Sequence, residues 1–224
     1  MQPISHCNEK QPLIEINLMK NIRLIFSITT ILLAVMTISC NNKTLSFNDN
    51  EIELINKYKN SIMPLKTINQ ESDSLLLREI SAPLSKEDLA CPYFRELTNS
   101  MLLTVNNPEN EGVGIAAPQV GISKQLIAVQ RLDKEGEPFE FYVNPKIIST
   151  LGDKQPGGEG CLSVPGMRGD VERYRNITIE YNNLENFETV TETIEGFTAV
   201  IFQHEIDHLN GILYIDKAEN ISNK

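Results

Sequence analysis

The segment FQHEIDHLNG, from Phe202 to Gly211, carries two imidazoles and a carboxylate in the order His204, Glu205, His208. On a helix, His204 and His208 sit one turn apart on one face, with Glu205 beside them. Two imidazoles at that spacing are a pair of metal ligands, and the carboxylate is a candidate base for hydrolysis. The flanks, AVIF before and Leu209 after, put this helix in an apolar interior. Imidazoles and a carboxylate are costly there without partners, and a metal ion is such a partner. Of the three histidines in the chain, only His6 lies outside this motif.

A catalytic site of this kind takes a third protein ligand and keeps one position open. No histidine follows His208, which argues against metalloproteases whose ion is held by three histidines. After Gly211 there is only ILYIDKAENISNK, with Glu219 near its end, so a downstream glutamate ligand on another helix has little chain to come from. The ligand is sought upstream, as an acid or a thiolate. Cys161, in EGCLS, stands out, because Gly157, Gly158 and Gly160 let the backbone bend to present a side chain. Taken alone, it reads more naturally as a buried, inert thiol.

The elements that must position these residues follow from periodicity and punctuation. The motif helix begins near Gly196 and stops at Gly211. A second helix carries Phe94, Leu97, Met101, Leu102 and Val105 at helical spacing, with Pro92 near its start and NNPENEG at its end. Ser85 and Asp88 open a helix in near capping-box form. QLIAVQRL and FEFYVNPKIIST read as a hairpin, and NITIEY and ETVTETIEG as two further strands. ESDSLLLREISAPLS reads as an extended approach, GDKQPGGEG as loop, and ILYID as a short final strand before a polar tail. In GVGIAAPQVG, the glycines Gly112 and Gly114 read by themselves as a helix-to-strand turn.

At 224 residues the chain holds one good-sized core. Its net charge of -10, without Lys/Arg clusters, excludes a nucleic-acid surface. Four cysteines, Cys7, Cys40, Cys91 and Cys161, show no disulfide spacing. From Met19 a basic start (Lys20, Arg23), an apolar run from Leu24 to Ile38 and Ser39-Cys40 have the three-part form of a secretory signal. A small residue before Cys40 resembles the bacterial lipoprotein signal, in which that cysteine is lipidated, although Thr37 sits where the pattern prefers Leu. The expected organisation is an N-terminal extension and signal over 1–40, a polar tether over 41–62, a catalytic domain over 63–218 and a tail over 219–224. An exported protein held at the membrane by that lipid, or by an uncleaved N-terminal anchor helix, follows from the signal, and a cytoplasmic one is the alternative.

Three stretches taken together, GVGIAAPQ (Gly112–Gln119), EGCLS (Glu159–Ser163) and QHEIDH (Gln203–His208), resemble peptide deformylase in content and order. The resemblance runs from about Met63 to Lys217 and implies an α+β fold: short, mostly antiparallel sheets around a central helix bearing the two histidines. It implies that Cys161, His204 and His208 hold one divalent metal, Fe2+ physiologically, with Zn2+, Ni2+ or Co2+ able to take the site. It implies that Glu205 is the general base and then the acid, and that Gln119 and the backbone N–H of Leu162 stabilise the oxyanion. The substrate would be an N-formylmethionyl peptide, bound along Gly112, Val113 and Gly114, with Val113, Phe197, Val200 and Ile201 as candidate walls for the methionine side chain. The last three read equally well as ordinary core. Arg168 matches a family arginine near the site, Glu111 and Glu159 would orient neighbouring groups, and Asp207 falls within the motif with no role that its chemistry alone assigns. A metalloprotease of the H-E-x-x-H type and a non-catalytic peptide-binding surface lipoprotein are the competing readings.

Overall fold

The structure, a computed structural model, describes residues 46–110 and 112–223. Two sheets and five α-helices are built from them. In chain order these are helices α1 (Asp49–Lys57), α2 (Glu71–Leu77), α3 (Lys86–Ala90) and α4 (Pro92–Val105), then strands β1 (Gly114–Ala116), β2 (Leu126–Gln130), β3 (Phe139–Thr150), β4 (Lys154–Cys161), β5 (Val164–Tyr174), β6 (Asn176–Asn182) and β7 (Thr189–Glu195), then helix α5 (Gly196–Leu209) and strand β8 (Glu219–Asn223). One sheet runs β1-β2-β3-β6-β7 and the other β4-β5-β8. Every pair is antiparallel. This is the expected α+β architecture.

Helix α5 packs against strands of both sheets. It is buried on nearly all sides, with Thr198 to Gln203, Glu205, Ile206, His208 and Leu209 inside. An apolar stripe on one face would have left it at the surface, whereas apolar residues all round make a central helix. Phe202 is fixed edge-to-face on Tyr142, with ring centroids 4.7 Å apart. Arg131 lies over the same Phe202 ring and is itself held by Asp133, Glu140 and Glu192. Gly211, at φ 69°, ends the helix, and there a Cβ would stand 2.3 Å from the Arg78 carbonyl oxygen. Only glycine fits both conditions.

Four sequence readings are corrected. GDKQPGGEG is not loop: β4 pairs with β5 from Lys154↔Tyr174 to Glu159↔Gly169. Its glycines and Pro156 hid the strand, yet β4 is an edge strand, where a missing N–H is tolerated. ILYID is not a strand. Tyr214–Asp216 form a 3-10 turn in which the Asp216 carboxylate accepts the Leu213 N–H at 2.8 Å; the last strand is β8, in the stretch that reads as tail. Within ESDSLLLREISAPLS, Glu71–Leu77 are helical rather than extended, with Leu77 fully buried. Within the polar stretch over 41–62, Asp49–Lys57 form α1, packed on α4 with Ile55 inside. Its Glu51 closes a capping box with Asn48, accepts the Ser123 N–H and pairs with Lys124. A buried, fully used glutamate counts as surface in any hydrophobicity pattern, so the packing was hidden. The signal-like segment and Cys40 lie outside the described residues, and no helix among the described residues is long and apolar enough to cross a membrane.

Asp88 fastens the start of this region. Wholly buried, it accepts from the Ser46 N–H, the Ser85 N–H and the Ser85 hydroxyl, each at 2.7 Å. Burial opposes its charge, but the bonds from Ser85 and Ser46 outweigh it and hold its carboxyl below the ordinary value. Asp88→Asn is expected to lower unfolding stability by about 1–3 kcal/mol in urea titrations, because N–H donors lose a charged acceptor. The folded pKa is the depressed one. The advantage over the Asn variant is therefore present above the unfolded carboxyl value of about 3.9 and shrinks as pH falls through the folded value.

Candidate metal centre

Helix α5 presents His204 and His208 toward the end of β4, where Cys161 stands. The ligand atoms of the three residues all lie within 4.8 Å of one another. Cys161 Sγ is 3.2 Å from His208 Nε2, and the imidazoles meet edge-to-face at 5.1 Å between centroids. One thiol and two imidazoles converging in this way fit a single divalent transition ion. Burial pushes the Cys161 thiol up, but the His208 charge and the His204 hydrogen bond reverse this, and the thiol falls well below its ordinary value. The thiolate is the form that binds metal. His204 is raised: burial opposes its charge, and Cys161 and Glu159 more than compensate. An ion entering the cluster displaces such a proton.

His204 is aimed by its other nitrogen. Nδ1 lies 2.8 Å from Glu159 Oε2, which turns Nε2 toward the cluster. Glu159 is gripped in turn by Arg173, Nε to Oε1 at 2.8 Å and Nη2 to Oε2 at 3.1 Å. Burial works against the Glu159 charge, yet the bonds from His204 and Arg173 hold its carboxyl at about 2. A carboxylate behind a ligating imidazole fixes its tautomer and raises its basicity. Sequence reasoning named Glu159 but missed Arg173, because a partner 14 residues away across a hairpin leaves no periodic signal. It also missed Tyr214, whose ring stacks on His204 at 6.1 Å between centroids.

A cavity of about 710 Å³ opens before the cluster, and Gln119, Cys161, Leu162, His204 and Glu205 line it. Gln119 is buried, and its amide oxygen accepts the Ala116 N–H at 2.8 Å. Only the oxygen can accept, so the Gln119 NH2 is turned toward Cys161, with Nε2 3.5 Å from Sγ. Glu205 is 4 % exposed, and its Oε2 is buried without a hydrogen-bond partner among the described residues. Burial pushes its carboxyl up, and the nearby histidine charges only partly offset this, leaving it at about 7. Gly112, Val113, Gly114, Arg168, Phe197, Val200 and Ile201 line the same cavity. Val200 and Ile201 are buried in its wall, while Phe197 is half exposed at its rim. Ile201 also packs into the core behind the wall. Glu111 lies outside the described residues.

The cavity sits where both sheets have a free edge, β1 in one and β4 in the other.

The family model for polypeptide deformylase matches residues 64–224. Peptide deformylase of Desulforudis audaxviator is 51% identical over 146 residues, spanning 65% of this chain and 89% of that protein. Peptide deformylase 2 of Clostridium acetobutylicum is 44% identical over 154 residues, 69% of this chain and 95% of that one. Among solved structures, the Met-Ala-Ser-bound class I type b peptide deformylase of Acinetobacter baumannii superposes with a TM-score of 0.61 at 37% identity, over 70% of this chain and 99% of that one. The peptide deformylase of Thermotoga maritima gives 0.60 at 32% identity, over 70% and 98%. A likeness of this extent in sequence and in fold, centred on the Cys/His cluster, leaves one conclusion: the chain belongs to the peptide deformylase family of metal-dependent hydrolases.

Proposed function

We propose that this chain removes the formyl group from peptides that begin with N-formylmethionine, releasing formate and a free α-amino group. The observation that carries the reading is the meeting of a fixed amide donor, a carboxylate whose Oε2 has no hydrogen-bond partner among the described residues, and a Cys/His metal cluster at one cavity. Cys161, His204 and His208 are the metal ligands, and Fe2+ is the physiological ion. An ion held there supplies a Lewis acid that polarises the carbonyl and brings water within reach of deprotonation near neutral pH.

The other steps belong to the chain. Glu205 takes the proton from the attacking water and returns it to the leaving nitrogen, so one carboxylate serves as base and then as acid. The Gln119 NH2 and the Leu162 backbone N–H donate to the carbonyl oxygen as negative charge develops on it. The peptide runs extended between the free edges of β1 and β4, in the manner of an added strand. Val113, Phe197, Val200 and Ile201 receive the methionine side chain, and Arg168 stands at the mouth. The Met-Ala-Ser found in the Acinetobacter relative is a peptide of the kind this product would be.

The basic, apolar and small-residue-Cys40 regions near the N-terminus support export and anchoring by lipid at Cys40. The N-terminal mass of protein from the membrane and soluble fractions of native cells separates a lipidated Cys40 from an uncleaved anchor and from a cytoplasmic form. Activity is tested by formate release from formyl-Met-Ala-Ser after oxygen-free loading with Fe2+, Ni2+ or Zn2+. Metal-dependent release with the internal peptide bonds intact is expected and excludes the protease reading. A folded, metal-loaded protein that releases no formate sinks the assignment of substrate.

A further inference from the structure

We propose that Lys217, which does not line the catalytic cavity, is a positioning residue for the metal ligand His204, acting through Asp207, Arg173 and Glu159. The inference rests on the reading of Cys161, His204 and His208 as metal ligands.

Five side chains form an unbroken line: four of alternating charge, Lys217, Asp207, Arg173 and Glu159, and then the His204 imidazole. Lys217 Nζ donates to both Asp207 oxygens, at 2.7 and 2.6 Å. Asp207 Oδ2 accepts from Arg173 Nη1. Arg173 turns its Nε and Nη2 to Glu159, and Glu159 Oε2 meets His204 Nδ1. The Lys217 side chain is 40% exposed, whereas Asp207 is 13%, Arg173 4%, Glu159 7% and His204 12% exposed. The outer end is thus in water, while Arg173 and Glu159 are buried, where a change in charge is felt most.

The Arg173 guanidinium is shared between two carboxylates, and Lys217 sets how it is shared. With Lys217 in place, both Asp207 oxygens are occupied and the carboxylate is held in one orientation. Without it, Arg173 is the one ion-pair partner left to Asp207 among the described residues. It then draws the guanidinium away from Glu159. Glu159 is the anchor that orients His204, and a buried carboxylate less firmly gripped by Arg173 holds the imidazole less well. His208 cannot compensate, since its Nδ1 is buried without a partner among the described residues. The hold on the metal would loosen although no ligand has changed. This also gives Asp207 a role, as the relay between the closing turn and the helix that carries the ligands.

A half-exposed ion pair adds little to folding stability, so metal retention and folding separate as readouts. The test is the rate at which Co2+-loaded, full-length protein gives up its ion to excess chelator, followed by the thiolate-to-cobalt absorption. Lys217→Met is expected to release Co2+ about 10-fold faster or more, the range seen when a partner behind a metal ligand is lost. Lys217→Arg, which can still fork onto Asp207, is expected to release near the wild-type rate. Arg78→Met is the control, because Arg78 pins the same closing turn through Asp216 but is outside the line; it too should release near the wild-type rate. Release from Lys217→Met at the wild-type rate overturns the proposal. So does equal acceleration by Arg78→Met, which would make the effect one of tethering the turn, or failure of Lys217→Arg to rescue. Wild-type protein that takes up no Co2+ would instead overturn the ligand reading on which the proposal stands.

Discussion

Glu205→Gln is expected to lower kcat by about 10²–10⁴-fold while the metal stays bound, as general acid–base groups do when lost. The substitution keeps size and shape and removes only the capacity to take and return a proton. Glu205 projects from a buried stretch of α5, between His204 and Ile206, and neither neighbour offers a carboxylate to take over its place. Its Oε2 has no hydrogen-bond partner among the described residues, which leaves that oxygen for a reacting group. The three ligand atoms belong to other residues, so metal content should equal that of the wild type. Parallel assays of formate release and bound metal check this. A variant with full metal and wild-type kcat would remove Glu205 from the mechanism. A variant that has lost its metal would show that Glu205 acts on the cluster, not on the substrate.

How much of this was legible before the fold follows from how local each signal is. His204, Glu205 and His208 lie within one and a half turns of a helix, so their spacing alone brings them together. Gln119 caps its own 3-10 turn and is local in the same sense. Cys161 is different. Its place beside His208 depends on β4 being a strand, and the glycines and Pro156 that suit an edge strand at the cavity mouth are what made that segment read as loop. Composition misled because an exposed edge strand tolerates residues that pack little and lack an N–H. The chain of charges behind His204 was illegible for a third reason. Glu159, Arg173, Asp207 and Lys217 come from two strands, a helix and a turn, and nothing periodic joins them. The buried, polar α1 misled in the opposite direction, since a Glu51 that is fully hydrogen-bonded looks like a surface residue by type.

Gly114→Ala is expected to reach the same loss from the opposite side. A Cβ at this position would stand 2.5 Å from Glu205 Oε1 and 2.9 Å from both Cδ and Cγ. Real carbon–oxygen contacts do not come so close, so one side must move. Gly114 lies in β1 within the β1–β2 ladder, paired with Val129, and its φ is outside the positive range. The backbone conformation therefore accepts alanine, and the strand is held by its partner. Glu205 gives way instead, and a buried carboxylate displaced by about 1 Å leaves the reach of the water it must deprotonate. Overpacking of this kind costs about 1–3 kcal/mol in stability, which leaves a folded protein to assay. The decisive measurement is the double variant. If alanine acts only by displacing the carboxylate, adding Gly114→Ala to Glu205→Gln should cost much less than it does alone, because the group it disturbs no longer works. Full additivity of the two losses in kcat would mean that Gly114 serves the substrate backbone rather than the base, and the glycine's place in the site would have to be argued from peptide binding at the free edge of β1.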